Sequence, residues 1–287
     1  MIEPYARLIA FKLYHEQDRI RNMHTISGQK DPVIRLLREL VSEEGRTRNR
    51  LFFAEGEELV RRAFDYGGVV ESVILTDKFA ATAKARTLLS RAGQTDVYQC
   101  TEGLLAKILD AKPTPECLAI VARKTVGLSN VLAGDCSLIQ MVESCENADN
   151  LGMLLRSTDA AGVSGVILAA ETTDAFSRRV VRGSRGAVFT VPLCIQSDSV
   201  KVMEQARANG LQIIGTSANT DVPYTSIDYT KPTVIVVGNE HTGISETVRS
   251  MADAVVRIPM TGKINSLNIA VAASLVMYEA VRQRSEL

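Results

Sequence analysis

The stretch Ile258-Pro-Met-Thr-Gly-Lys-Ile-Asn-Ser-Leu-Asn-Ile269 joins an apolar run to the long segment that ends the sequence. The run predicts a strand, and the segment, with apolar residues at 267, 271, 275 and 278, predicts an amphipathic helix. One polar side chain, such as that of Ser266 or Asn268, suffices to cap a helix. Because Asn265 adds a third polar side chain at the same helix start, we predict a functional site in this loop.

The C-terminal half alternates strongly apolar runs with helical segments. Runs that are apolar along their whole length indicate strands buried on both faces, and therefore a mostly parallel sheet. The predicted strands are Ser137–Val142, Gly165–Leu168, Val188–Val191, Gln212–Gly215, Thr233–Val237 and Ala254–Ile258, and the predicted terminal helix is Leu267–Arg284. Ligands of such sheets collect just beyond the carboxyl ends of the strands, so the residues that follow these strands are the candidate site.

The N-terminal part has a different pattern. Residues 48–123 alternate short strands with short helices, which predicts a small α/β domain. Residues 1–47 are predicted to be a helical extension, in which Asp31 and Pro32 supply a helix cap and a first helical residue. The hydrophilic stretch 123–134 is predicted to be a linker, and residues 135–287 form the C-terminal domain.

Composition excludes several classes of protein. The 287-residue chain is 46% hydrophobic and 23% charged, which is typical of a globular protein. The apolar runs are too short to span a membrane, and charges within the first twenty positions argue against a secretory signal. The five cysteines are scattered without a metal-ligand spacing. We therefore expect a cytoplasmic protein with no bound metal and no membrane association.

Charge gives no global signal for nucleic acid, because 33 basic residues balance 33 acidic residues. Phosphate contacts need local positive charge instead. One acid-free run holds Arg178, Arg179, Arg182 and Arg185, and a second basic group holds Arg46, Arg48 and Arg50. A solvated helix face is the ordinary meaning of such a run, so an RNA-binding surface is one of two interpretations at this point.

Two further segments follow predicted strands. Residues 150–156 begin a helix, and alone they are consistent with a plain N-cap at Asn150 and a surface charge at Arg156. Residues 236–244 break a strand with two glycines, and alone they are consistent with a tight turn. Neither a Walker A sequence nor a Gly-x-Gly-x-x-Gly fingerprint is present, which argues against a P-loop and against a Rossmann-type oxidoreductase.

Together, the three segments resemble the ordered signature of the SpoU (TrmH-like) branch of the SPOUT methyltransferases. The matching residues are Asn150, Gly152 and Arg156, then Gly238, Glu240 and Gly243, then Ile258, Pro259, Met260, Gly262, Ser266, Leu267, Asn268 and Ala272. One departure is His241, where many members have glycine, and it predicts a less tightly folded loop. An acidic residue often precedes the first motif, and both Glu146 and Asp149 qualify.

The resemblance covers residues 137–284 strongly and implies a sheet with a deep trefoil knot, a feature that periodicity does not reveal. More weakly, residues 48–123 look like the family's small ribosomal-protein-like RNA-binding domain. The knot implies a pocket for S-adenosylmethionine, made chiefly by backbone groups. The implied pocket residues are Gly238, Ile258, Met260 and Leu267, joined by Thr216 and Ser217 at another strand exit.

The reaction that the resemblance implies is methyl transfer from S-adenosylmethionine to a ribose 2′-hydroxyl of structured RNA. The implied catalytic residues are Asn150, Arg156, Glu240, Ser266 and Asn268, and the candidate RNA contacts are Arg178, Arg182, Arg185, Arg48 and Arg50. The N-terminal domain favours ribosomal RNA over transfer RNA, and members act as homodimers. The alternatives are a transfer RNA target and a non-catalytic RNA-binding or assembly factor with the same fold.

Overall fold

Two β-sheets, each with its own helices, divide the computed structural model into units Met1–Arg123 and Lys124–Leu287. The structure describes residues 23–285 except 27, 134–137, 170–171, 240 and 265. The helical prediction for residues 1–22, the catalytic candidate Glu240 and the polar Asn265 therefore lie outside the described residues.

The first unit is an α/β layer with a mixed five-stranded sheet in the order β1-β4-β3-β5-β2. Its elements are β1 His24–Thr25, α1 Pro32–Val41, α2 Glu43–Asn49, β2 Leu51–Glu55, α3 Glu57–Asp65, β3 Val70–Thr76, α4 Asp77–Ala80, α5 Ala83–Leu89, β4 Asp96–Cys100, α6 Glu102–Leu109 and β5 Cys117–Ala122. Strand β5 is antiparallel to β2 and β3, whereas β1, β4 and β3 are mutually parallel.

Helix α1 shows why the segment predicted as a separate extension packs with this sheet. The Asp31 side chain accepts a hydrogen bond from the Val33 N–H at 2.9 Å, and Pro32 is the first helical residue, as predicted. The apolar stripe of the helix is fully buried in one core with residues of the strands; it consists of Ile34, Leu37 and Leu40. A stripe of this kind needs an apolar surface to cover it, and the sheet provides one. The short strand β1 also interrupts the predicted helical region.

The second unit has a six-stranded sheet, entirely parallel, in the order β11-β9-β10-β6-β7-β8. Its elements are α7 Leu128–Leu132, β6 Leu138–Val142, α8 Ala148–Ala160, β7 Gly165–Ala169, α9 Arg178–Gly183, α10 Ala187–Thr190, β8 Leu193–Gln196, α11 Ser199–Ala208, β9 Gln212–Thr216, a 3₁₀ turn Tyr224–Ser226, β10 Thr233–Val237, α12 Glu246–Met251, β11 Ala254–Val256 and α13 Ile269–Ser285. The predicted α/β class with a parallel C-terminal sheet is confirmed, while the trefoil knot stays a prediction.

Two local predictions for this unit are wrong. Residues 188–191 were predicted as a strand but belong mostly to the short helix α10, and the strand at this sheet edge is β8. Short apolar runs fit a buried helix as well as a strand, so periodicity does not separate them. The predicted linker at 123–134 contains α7, and Leu128, Val131 and Leu132 of that helix are buried in the core of the second unit. No helix in the described part of the chain is long and apolar enough to cross a membrane.

Candidate active site

The carboxyl ends of β9, β10 and β11 open into one cavity, which we call the strand-exit cavity. All six residues predicted to hold the cofactor line it: Thr216, Ser217, Gly238, Ile258, Met260 and Leu267. Parallel neighbours end at the same sheet edge, so residues more than forty positions apart in sequence converge there. The wall is completed by residues that were not predicted, namely Ala218, Asn219, Val237, Asn239, His241, Thr242, Gly243, Val256, Ser266, Ile269 and Ala272.

Gly238 allows the loop after β10 to fold back on the strand end. A Cβ atom at this position would lie 2.1 Å from the carbonyl oxygen of Gly243, a distance that no side chain tolerates. Gly243 itself has a φ of 73°, in the left-handed region that favours glycine. The two glycines of the second motif are therefore required by the shape of the cavity wall.

The loop is closed by Asn239, a residue that sequence reasoning missed. Its backbone N–H and C=O pair with the C=O and N–H of Gly243, and its side-chain oxygen accepts hydrogen bonds from the N–H groups of His241, at 2.8 Å, and Thr242. The bond to residue 241 uses the backbone N–H and does not depend on the side chain there, so a loop less tightly folded than in members with glycine stays a prediction. An Asn directly after a strand-ending glycine was the available signal for such a turn.

A second, polar cavity adjoins the first, and we call it the polar cavity. It is lined by Glu146, Asn147, Asn150, His241, Ser266, Leu267 and Asn268. Three of these residues, His241, Ser266 and Leu267, line both cavities. Ligands in the two cavities would therefore be separated by one layer of side chains.

Asn150 and Asn268 join the first and third motifs inside the polar cavity. The Asn268 amide nitrogen donates a hydrogen bond to the Asn150 side-chain oxygen at 2.8 Å, and the Asn268 oxygen accepts from the N–H of Ala270 at 2.9 Å. Asn268 therefore caps α13 and orients Asn150 at once. Asn150 is not the cap of α8: Asn147 is, since its side chain accepts from the N–H groups of Asp149 and Asn150.

Arg156 is not among the described residues that line these two cavities. It is exposed on α8, six residues beyond the buried Asn150, which corresponds to about 9 Å along the helix axis. The structure thus brings together Asn150, Ser266 and Asn268. Arg156 lies on the surface of α8, the helix that carries Asn150.

The basic helix α9 crosses α8 at two glycines. A Cβ atom on Gly152 would lie 2.9 Å from Cα of Gly183, so the first-motif glycine permits this close contact. Arg179 of α9 forms an ion pair with Asp149 of α8, and this hydrogen bond lowers the pKa of Asp149 below its ordinary value. Of the two candidate acids, Asp149 therefore anchors α9, whereas Glu146 lines the polar cavity and accepts a hydrogen bond from the Asn239 amide at 2.9 Å.

The remaining basic candidates differ in their surroundings. Arg182 and Arg185 are exposed, and Arg178 is partly buried. In the first unit, Arg46 is buried and donates to the carbonyl oxygens of Leu40 and Val41, which is a structural role. Arg48 pairs with Glu39 at 2.9 Å, while Arg50 is exposed at the end of α2.

The donor set of the strand-exit cavity suits an organic cofactor. Its lining combines apolar side chains, hydroxyls and backbone groups, and the cradle at Gly238 would be filled by any Cβ atom. The Thr216 hydroxyl donates to the Val236 carbonyl at 3.1 Å, and Ser217 accepts from the Arg249 guanidinium at 2.8 Å, so both side chains are fixed in place. Among the described residues, no group of three or more His, Cys, Asp or Glu side chains could hold a metal ion.

Comparisons with known proteins agree with this geometry. The SpoU rRNA Methylase family matches residues 137–278, and the MRM3-like substrate binding domain matches residues 31–119. The chain is 32% identical over 245 residues to a 23S rRNA (uridine(2479)-2′-O)-methyltransferase from Streptomyces viridochromogenes, covering 83% of this chain and 85% of that one. It is 25% identical to the 23S rRNA (guanosine(2553)-2′-O)-methyltransferase RlmP of Bacillus subtilis, covering 89% of this chain and 98% of that one.

Two solved structures share nearly the whole fold. The AdoMet-bound rRNA methyltransferase from Sinorhizobium meliloti has a TM-score of 0.81 at 28% identity, covering 91% of this chain and 98% of that one. The SpoU methyltransferase AviRb from Streptomyces viridochromogenes, in complex with AdoMet, has a TM-score of 0.81 at 30% identity, covering 89% of this chain and 99% of that one.

Proposed function

The chain belongs to the SpoU rRNA methylase family, and from this premise we propose how its two cavities transfer a methyl group from S-adenosylmethionine to a ribose 2′-hydroxyl of ribosomal RNA. The observation that carries the proposal is the shared wall of His241, Ser266 and Leu267. A cofactor in the strand-exit cavity and a ribose in the polar cavity would meet across it. Methyl transfer needs this alignment of donor and acceptor.

The strand-exit cavity is the proposed cofactor site. When bound, S-adenosylmethionine supplies a methyl group that its sulfonium already activates. Gly238, Ile258, Met260 and Leu267 hold the cofactor chiefly through backbone and apolar contacts, and Thr216 and Ser217 add hydroxyl groups from the end of β9. These residues bind the cofactor and exclude water from it. The residues of the polar cavity act on the ribose.

The polar cavity is the proposed ribose site. Asn150, held by Asn268, and Ser266 orient the ribose through hydrogen bonds. Glu240 of the second motif completes the proposed catalytic set. Arg156 binds the target phosphate and stabilises the charge that develops on the ribose oxygen. A guanidinium cation has no free electron pair to accept a proton, so Arg156 does not serve as the base.

The proposed RNA surface has two parts. In the second unit it comprises Arg178, Arg182 and Arg185, on α9 and just after it. In the first unit it comprises Arg48 and Arg50, and residues 48–123 serve as the RNA substrate-binding domain. Ribosomal RNA as target makes the cytoplasm the proposed location.

We propose that the protein acts as a homodimer through α8 and α13 of the second unit. These two packed helices carry exposed large apolar side chains: Met153, Val271, Leu275 and Tyr278. Exposed apolar groups at spacings of four and three residues along one helix are typical of an interface stripe. A second copy would also bring its own α8, with Arg156, towards this surface.

The dimer allows a shared site, in which Arg185 of one chain serves the RNA site organised by Arg156 of the other. Arg156→Ala chains are mixed with Arg185→Ala chains under conditions that exchange subunits. Random pairing makes about half of the dimers mixed, and each holds one intact composite site, so up to about a quarter of wild-type activity should return. If both residues act within one chain, no activity returns although subunit exchange is verified.

A tritium-transfer assay tests the function against its two alternatives. Purified protein and tritiated S-adenosylmethionine are incubated with ribosomal RNA or transfer RNA from a strain that lacks the gene. We expect label in a ribose of ribosomal RNA. Label in transfer RNA alone would favour the transfer RNA alternative, and no transfer to either would favour the non-catalytic factor.

A further inference from the structure

His241 occupies a position that the proposed catalytic set leaves unused. It lines the strand-exit cavity and the polar cavity at once, together with Ser266 and Leu267. The sequence contains three histidines, at 15, 24 and 241, so His241 is the one imidazole of the second unit. Its side chain is exposed at the cavities rather than packed into the core.

The reaction needs a group to take the proton of the 2′-hydroxyl, and Arg156 does not supply one. A proton acceptor needs a free electron pair within reach of the hydroxyl. A neutral imidazole has one on its unprotonated ring nitrogen. Among the described residues that line the two cavities, the titratable side chains are those of His241 and Glu146.

We propose that His241 is the proton acceptor for the ribose 2′-hydroxyl, an inference that rests on the proposed function. The hydroxyl proton passes to the unprotonated ring nitrogen of His241 while a lone pair of the hydroxyl oxygen forms the bond to the methyl carbon. The electron pair of the broken carbon–sulfur bond is left on sulfur. The positive charge lost from the sulfonium thus reappears on the imidazolium, and no further reactant is needed.

The loop geometry permits a clean test. The Asn239 side chain holds residue 241 through the backbone N–H, which every substitution except proline retains. His241→Gln therefore removes the basic nitrogen without removing the hydrogen bond that fixes the loop. Glu146→Gln removes the competing carboxylate while keeping an oxygen that accepts from the Asn239 amide. His24→Gln, in the first unit, is the matched control for loss of an imidazole.

The measurement is the single-turnover rate of methyl transfer to ribosomal RNA from a strain that lacks the gene, followed from pH 5.5 to 8.5. Calorimetric titration of S-adenosylmethionine into each protein gives a readout that is independent of turnover. For the wild type and for His24→Gln, we expect the rate to fall tenfold per pH unit at the acidic end, because a protonated imidazole has no free electron pair. For His241→Gln we expect a rate roughly 100-fold lower, without that acidic limb, and a cofactor Kd within threefold of wild type.

Other results would overturn the assignment. A His241→Gln rate within threefold of wild type, or an acidic limb that persists in this variant, removes His241 as the proton acceptor. Loss of the limb in Glu146→Gln but not in His241→Gln assigns the proton to the carboxylate instead. A large loss of cofactor affinity in His241→Gln makes it a binding residue. If the wild type itself transfers no methyl group to ribosomal RNA, it is the proposed function that fails.

Discussion

The strand-exit cavity and the polar cavity share a wall but are built by different means. The first is shaped by main chain: β9, β10 and β11 end there, and Gly238 lets the following loop fold back within the space of a missing Cβ atom. The second is shaped by side chains from two helices, with Asn268 at the start of α13 holding Asn150 of α8. Steric fit therefore determines the shape of the strand-exit cavity, whereas hydrogen bonds between side chains determine the shape of the polar cavity.

Because of this difference, we expect substitutions in the strand-exit cavity to change cofactor affinity and substitutions in the polar cavity to change the rate of methyl transfer. A substitution that adds a single carbon should damage the strand-exit cavity and spare the polar one. A substitution that preserves shape but removes a hydrogen-bond donor should damage the polar cavity and spare the strand-exit cavity. Arg156, which lies outside both cavities, should affect RNA binding and the transfer step but not cofactor binding.

Arg156→Ala should show the largest effect, a fall in methyl transfer of roughly 10³-fold, because the charge on the ribose oxygen loses its stabilising cation. Cofactor affinity should stay within a few-fold of wild type, since the cofactor is held elsewhere. Tritium transfer and calorimetric titration measure the two quantities. Lys201→Ala, an exposed cation on α11, is the control. Full activity in the Arg156 variant would exclude its assigned role.

Gly238→Ala should reduce cofactor affinity by about 100-fold, because the added carbon would lie 2.1 Å from the Gly243 oxygen and must displace the loop. The free energy of unfolding should fall by about 3 kcal/mol. Gly103→Ala is the matched control, since nothing lies within 4 Å of a Cβ atom there, on helix α6. Normal cofactor binding by the Gly238 variant would show that the loop does not shape the cavity.

Asn268→Ser should have the smallest effect, a rate about tenfold lower, since the loss of one partly buried hydrogen bond costs about 1.4 kcal/mol. Serine retains the helix cap but does not reach Asn150. Asn268→Ala loses both functions and should be less stable than the serine variant by about 1 kcal/mol. Thermal unfolding and single-turnover rates separate the two contributions. Equal rates for wild type and the serine variant would reduce Asn268 to a helix cap.

Much of this architecture follows from the sequence, for physical reasons that differ by element. Strands such as Thr233–Val237 are predictable because a fully apolar run fits a doubly covered parallel strand. The six cofactor candidates meet because parallel strands end at a common edge. By contrast, residues 188–191 form a helix because tertiary packing decides the state of a short apolar run.

The polar cavity was harder to predict from the sequence. Asn150 looked like a helix cap, but the helix begins three residues earlier at the cap Asn147, which places Asn150 inside the first turn and facing Asn268. Contacts between residues 118 positions apart depend on how α8 and α13 pack, which no local pattern encodes. Asn239 was missed for a similar reason, since its role is defined by the return of the chain at Gly243.

Mapping of ribose methylation in total RNA shows whether the protein methylates ribosomal RNA in the cell. RNA is compared from cells with the gene, without it, and with the gene restored as wild type or as Arg156→Ala. We expect that one ribose methylation of ribosomal RNA disappears with the gene, returns with the wild type and stays absent with the Arg156 variant. Ribosomal RNA methylation that is unchanged by loss of the gene, or a lost methyl group that belongs to transfer RNA, would contradict this expectation.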